Sequence, residues 1–97
     1  MLYMIKHRFK ADVDDARAAA RPAHVAHIEG AGDKLKGAGP LMGSDADVPT
    51  GSLIIIQAGS HTAAALFAET DPYVLAGIVE STEIEAWNCL LGAWGQG

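Results

Sequence analysis

The sequence predicts an α+β domain of βαββαβ order, an antiparallel sheet with both helices on one of its faces. Three observations carry this expectation. The chain opens on an alternating stretch, Leu2 to Phe9, of the kind that forms a half-buried strand. Midway lies an uninterrupted apolar run, Leu53-Ile54-Ile55-Ile56, that suits a strand covered on both sides. Between and after these lie two alanine-rich segments, Ala16 to Ala20 and Ala63 to Ala65, each preceded by residues that cap helices.

In the first strand, alternation sets Tyr3, Ile5, His7 and Phe9 on one face and Leu2, Met4, Lys6 and Arg8 on the other. Asp12, Asp14 and Asp15 then supply caps and dipole-matched charge for a helix start. Pro22 interrupts, because proline suits the first helical turn and is unfavourable in the interior. With about 100° per residue, His24, Ile28, Ala31 and Leu35 share one stripe, opposite Glu29, Asp33 and Lys36. Arg17 would extend that stripe backwards, and a charge there argues that the phase is not carried through Pro22. The expectation is a short leading turn, then a main helix from Pro22 to about Leu35, weakened by Gly30 and Gly32.

Gly37 to Gly43 reads as a short strand whose Pro40 favours a sheet edge, and Ser44 to Thr50 as a solvated loop. Ser52 to Ala58 is the central strand. Ser60 caps a helix running through Ala68, and Asp71-Pro72 gives a second cap and first turn for a shorter helix that Gly77 stops. Ile78 to Cys89 interleaves β-branched residues with Glu80, Glu83 and Glu85, a last strand with one wet face. The tail from Gly92 to Gly97 is expected to fray, with Trp87 and Trp94 available to pack against a partner. Strand, helix, strand, strand, helix, strand is the split βαβ pattern of ferredoxin-like domains.

Composition bounds what such a domain does. Of 97 residues 49% are hydrophobic, yet 18 are alanine and only six are aromatic, so the core of one chain is thin. A domain of this length buries only about 60–65% of its unfolded surface, and half of the central strand would lie bare on the sheet face without helices. Packing two such faces together predicts a homodimer, or a higher oligomer. A net charge of -5 argues against a nucleic-acid partner. No apolar stretch approaches the roughly 20 residues of a membrane span. A start without secretory features and the lone Cys89 lead to the expectation of a cytoplasmic protein.

Several short segments together resemble the YciI-like (YCII-related) family, small dimeric α+β barrel domains related in fold to muconolactone isomerases. The matching positions are Arg21-Pro22-Ala23-His24, Ala38-Gly39-Pro40, Phe67 with Asp71-Pro72-Tyr73, and Ala76-Gly77. The likeness covers roughly residues 1 to 88, and it departs at Glu85-Ala86-Trp87, where relatives often carry a basic residue and proline before an aromatic. The resemblance implies a dimeric α+β barrel and a cleft in which His24 meets Asp71. One relative eliminates chloride from a chlorinated hydroxyhydroquinone, while many have no established activity.

His24, in the middle of an apolar stripe, should face the sheet, where an imidazole without a hydrogen-bond partner costs about 1–3 kcal/mol. If Asp71 is that partner, it fixes the tautomer and stabilises the imidazolium formed when the ring takes a proton. Asp71 also caps a helix, and one carboxylate can do both. Tyr73, Arg21 and His7 are the candidate substrate-binding residues: a phenol near Asp71, a cation for an anionic substrate, and an imidazole on the face of Ile5 and Phe9.

No metal or cofactor is expected. His24 and His27 point about 60° apart and lack further ligands beside them, and Asp45-Ala46-Asp47 lacks the rest of a calcium loop. Gly37-Ala38-Gly39-Pro40 follows a helix and lacks a third glycine at the dinucleotide-binding spacing. The leading expectation is a lyase or isomerase acting on a small cyclic or enolic compound. Its alternatives are a dimer that only binds a small molecule, and a scaffold in which histidine and aspartate hold helices together.

Overall fold

A computed structural model describes residues 1–95. Its elements run β1 (Leu2–Phe9), α1 (Asp14–Glu29), a 3-10 turn (Gly32–Lys34), β2 (Leu35–Leu41), β3 (Gly51–Gln57), α2 (His61–Glu69), α3 (Pro72–Leu75) and β4 (Val79–Trp87). The four strands form one antiparallel sheet in the order β2-β3-β1-β4, so the α+β, ferredoxin-like expectation holds.

Strand register explains where the core ends and a site can begin. On the helix-facing side, pairing sets Leu35, Ile56, Tyr3 and Ala86 in one row across the sheet, and Ala38, Ile54, Ile5 and Ile84 in the next. Ile28 of α1 and Ala64 and Ala68 of α2 close over these rows as the main core. Burying a side chain such as Ile5 or Ile54 contributes about 1.5–3 kcal/mol. The third row is Pro40, Ser52, His7 and Thr82, and it carries polar side chains on the same buried face. Gly51 lets β1 and β3 come together beside this row, because a Cβ there would collide with the His7 carbonyl oxygen.

The first helix differs from the expectation of a start at Pro22 and an end near Leu35. It begins at Asp14, runs unbroken through Pro22 and ends at Glu29. Pro22 has no N–H to give the Ala18 carbonyl, but both residues lie on the exposed side of α1, where water can serve that oxygen. Beyond Glu29 the chain leaves the helix, and Gly32 takes a left-handed conformation, φ 58°, that lets Leu35 enter β2. The edge strand accordingly spans Leu35–Leu41, with a bulge between Leu35 and Gly37. The caps of the later helices are as expected: Ser60 Oγ accepts from the Ala63 amide at 3.1 Å, and Asp71 Oδ1 from the Tyr73 amide at 2.9 Å.

The last strand stops at Trp87, so Cys89 lies beyond it. Cys89 is buried against Leu2 and Ile55 on the sheet face opposite the helices, with Met4 and Leu53 beside them. Further on, Trp94 meets Trp87 edge-on, ring centroids 6.1 Å apart, and its ring stands where a side chain on Gly37 would be. The C-terminal segment thus covers part of the face that the sequence leaves bare. Residues 92–95 turn back, the Gly95 amide donating to the Gly92 carbonyl at 3.1 Å; residues 96–97, the end of the tail expected to fray, lie outside the described residues. Among the described residues no helix is long and apolar enough to cross a membrane.

Candidate functional site

Where the polar row meets α1 and α3, the sheet and helices enclose a cleft of about 530 Å³, within the ~300–1,000 Å³ range of small-molecule sites. Along α1 the residues facing it are Arg17, Arg21, His24, Val25, Ile28 and Glu29, a single stripe at helical spacing. The stripe does pass through Pro22. At its core end Ile28 is buried, one turn earlier His24 meets the polar row, and two arginines stand at the other end. Arg17 is therefore a cleft residue and not a sign of broken phase, and the sequence reasoning missed it.

Asp71 is the fixed point of the site. It is fully buried, held by its place as the residue that caps α3 ahead of Pro72. His24 Nδ1 lies 2.8 Å from its Oδ1 and 3.0 Å from Oδ2, and Oδ1 also accepts from the Tyr73 amide. His7 Nε2 stands 3.5 Å from Oδ2, while His7 Nδ1 lies 2.8 Å from Thr82 Oγ1. A bare Nε2 lone pair facing the carboxylate would be repelled. The stable arrangement has the Thr82 hydroxyl donating to Nδ1 and His7 Nε2–H directed at Asp71. Burial by itself pushes the Asp71 carboxyl upward, but hydrogen bonds from His24, His7 and the Tyr73 amide, with the charge of His24, more than reverse this and hold it below the usual carboxylate range.

With Nδ1–H committed to Asp71, His24 presents Nε2 as its remaining nitrogen, and among the described residues no hydrogen bond occupies it. Tyr73 holds the ring by stacking, centroids 3.8 Å apart and planes 9° from parallel. Phe9 meets Tyr73 edge-on at 5.5 Å, and the Arg17 guanidinium lies 6.0 Å from the Phe9 ring. Burial raises the Tyr73 pKa, partly offset by the charges of Arg17 and Arg21 and reinforced by Asp71. Its phenol stays protonated at neutral pH and borders the cleft as a donor.

Of the sequence-derived candidates, the structure brings His24, Asp71, Tyr73 and Arg21 to this one place. His7 lies beneath the cleft, not along its wall, fully buried with Asp71 and Thr82 as neighbours. His27 faces elsewhere: its Nε2 donates to the Phe67 carbonyl at 2.8 Å and its ring stacks on Phe67, which ties α1 to α2. Ser52, in the third row, borders the cleft and was not singled out from the sequence. It is 4% exposed, and among the described residues its Oγ finds no hydrogen-bond partner. An unpaired buried hydroxyl costs about 1–3 kcal/mol.

Comparison with known proteins agrees with this architecture. Residues 1–88 match the YCII-related domain. The proteins named YciI of Escherichia coli O6:H1 and Shigella flexneri are each 38% identical to this chain over 95 residues, covering 91% of it and 97% of their own length. A solved structure of 5-chloro-2-hydroxyhydroquinone dehydrochlorinase from Burkholderia phenoliruptrix, in complex with 2,5-dihydroxybenzoquinone, superposes with a TM-score of 0.81 at 30% identity, over 92% of this chain and 95% of the other. An Agrobacterium tumefaciens protein shares the fold at 16% identity, with a TM-score of 0.55 over 99% of this chain and 98% of its own.

Proposed function

We propose, from the premise that the chain belongs to the YCII-related family, that it is a cofactor-independent enzyme of lyase or isomerase type acting, as a homodimer, on a small cyclic or enolic compound. One observation carries the proposal. The Nδ1 edge of His24 is hydrogen-bonded at 2.8 Å to a fully buried carboxylate while the same ring borders an open cleft. In that role His24 Nε2 accepts a proton from substrate carbon or oxygen, and Asp71 balances the imidazolium that results. Returning the proton to a neighbouring atom completes an isomerisation. Keeping it while a leaving group departs with its bonding pair completes an elimination. Tyr73, Arg21 and Arg17 stabilise the oxyanion that develops meanwhile.

The dehydrochlorinase neighbour supports elimination and a ring substrate bearing oxygens. Support for the homodimer comes from the second sheet face, where Trp87 and Trp94 remain 39% and 36% exposed after the tail has folded back. The function is tested by supplying 5-chloro-2-hydroxyhydroquinone and following chloride release. The wild type is expected to release chloride, and His24→Ala to slow it by at least about 10²-fold. Undiminished turnover by His24→Ala overturns the assignment. Binding of 2,5-dihydroxybenzoquinone, with no turnover of chlorinated or enolisable ring compounds, would favour a dimer that binds small molecules without transforming them.

A further inference from the structure

We propose that Ser52 anchors the substrate from the floor of the cleft, its hydroxyl bonding an oxygen substituent of a compact ring compound that binds as an anion. This deepens the acid–base reading of the same cleft and rests on it. In β3, Ser52 occupies the helix-facing series that continues as Ile54 and Ile56, so an apolar residue there would extend the core. The fold gives the hydroxyl nothing to do. Its row neighbour on one side, Pro40, has no N–H and no polar side chain. On the other side His7 has Nδ1 engaged by Thr82, while its Nε2 faces Asp71 at 3.5 Å and, like the Ser52 hydroxyl, makes no hydrogen bond among the described residues. A buried, unpartnered hydroxyl on a residue that lines an open cleft is complete when a ligand oxygen meets it.

Charge and shape around it define the ligand. Arg17 and Arg21 border the cleft, and the acidic side chain among its lining residues is Glu29, whereas the Asp71 carboxylate is already engaged beneath. The two guanidiniums, of which Arg17 also lies 3.8 Å from the Asp14 carboxylate, favour an ionised oxygen, an enolate or phenolate. The apolar wall formed by Phe9, Ile28 and Leu35 favours a ring between the oxygens. Such a ligand, held by Ser52 at one oxygen and facing the arginines with another, has its orientation to His24 set at two points. Ser52 then determines which ring position is deprotonated.

The test uses 2,5-dihydroxybenzoquinone, whose acidic enolic hydroxyls ionise at neutral pH, titrated calorimetrically into the wild type, Ser52→Ala and His24→Ala, with urea unfolding of each. The wild type is expected to bind, and Ser52→Ala to bind about 10-fold more weakly or worse. Unfolding of Ser52→Ala is expected at the same or a higher urea midpoint, because the hydroxyl has no structural partner to lose. Equal binding by Ser52→Ala, a lowered midpoint, or no binding of this probe by the wild type each overturns the proposal. Its fate is separable from that of the proton-transfer reading. Loss of turnover in His24→Ala with unaltered binding in Ser52→Ala removes Ser52 alone, whereas weakened binding in Ser52→Ala with full turnover in His24→Ala removes the acid–base role alone.

Discussion

Replacing Asp71 by Asn changes the charge at the site with almost no change in volume. The carboxylate accepts from His24 Nδ1 at 2.8 Å and from the Tyr73 amide at 2.9 Å, and it faces His7 Nε2 at 3.5 Å. An amide keeps one acceptor oxygen, which can still serve the Tyr73 amide, and turns an NH2 toward an imidazole N–H. One charge-assisted bond, typically about 1.5–3 kcal/mol, is lost or replaced by a neutral one of about 0.5–1.5 kcal/mol, and a donor is left facing a donor. Removing a buried charge recovers part of its desolvation penalty. The depressed pKa of Asp71 shows that the folded site nonetheless favours the carboxylate. The expected loss is about 1–3 kcal/mol at pH 7, a fall in Tm of roughly 5–20 °C for a domain of this size.

The pH dependence fixes the cause. Because the folded-state pKa is lowered, the stabilisation is complete above the unfolded value near 3.9 and is lost as pH falls toward the folded one, by about 1.4 kcal/mol per pH unit. The gap between wild type and Asp71→Asn, measured by urea unfolding at a series of pH values below about 5, should therefore close as pH falls below about pH 4. A variant as stable as the wild type at pH 7, or a gap that persists unchanged into acid, would refute the argument that the carboxylate is held by these donors.

Other consequences are open to measurement. The Tyr73 phenol should ionise above the ordinary value of 10.0, so in an ultraviolet absorbance titration the transition that disappears in Tyr73→Phe should have its midpoint above that value; a midpoint at or below it contradicts the burial argument. Pro22→Ala should restore the missing backbone bond in α1 and raise stability by about 1–3 kcal/mol in urea unfolding, whereas a destabilised variant would mean that the proline is built into the packing.

The parts of this molecule legible in its sequence are those set by local pattern. The alternation of β1, the apolar run of β3, and the caps at Ser60 and Asp71 each depend on a few neighbouring residues, and each forms as expected. Pro22 misled because local preference disfavours proline inside a helix, and α1 nevertheless runs from Asp14 because its stripe of cleft and core residues continues on both sides. The charge of Arg17 was therefore a mark of the site. His24 and Asp71 are 47 residues apart, and their pairing was available only through the family motif. Ser52 was hidden for a related reason. A serine at the end of an apolar strand looks ordinary until register aligns it with His7 and Thr82, and register is set by the whole sheet. The closing of the second sheet face by Cys89 and Trp94 likewise depends on where the tail turns after β4, which a glycine-rich stretch does not encode locally.

Chemical rescue decides whether His24 carries the proton. Chloride release from 5-chloro-2-hydroxyhydroquinone would be followed in His24→Ala with increasing imidazole, which has room to enter a cleft of about 530 Å³ once the side chain is gone. The rate is expected to be low without imidazole and to rise in proportion to it, with the folded content of the variant unchanged by circular dichroism. A variant that needs no rescue, or a folded one that imidazole never restores, would contradict it.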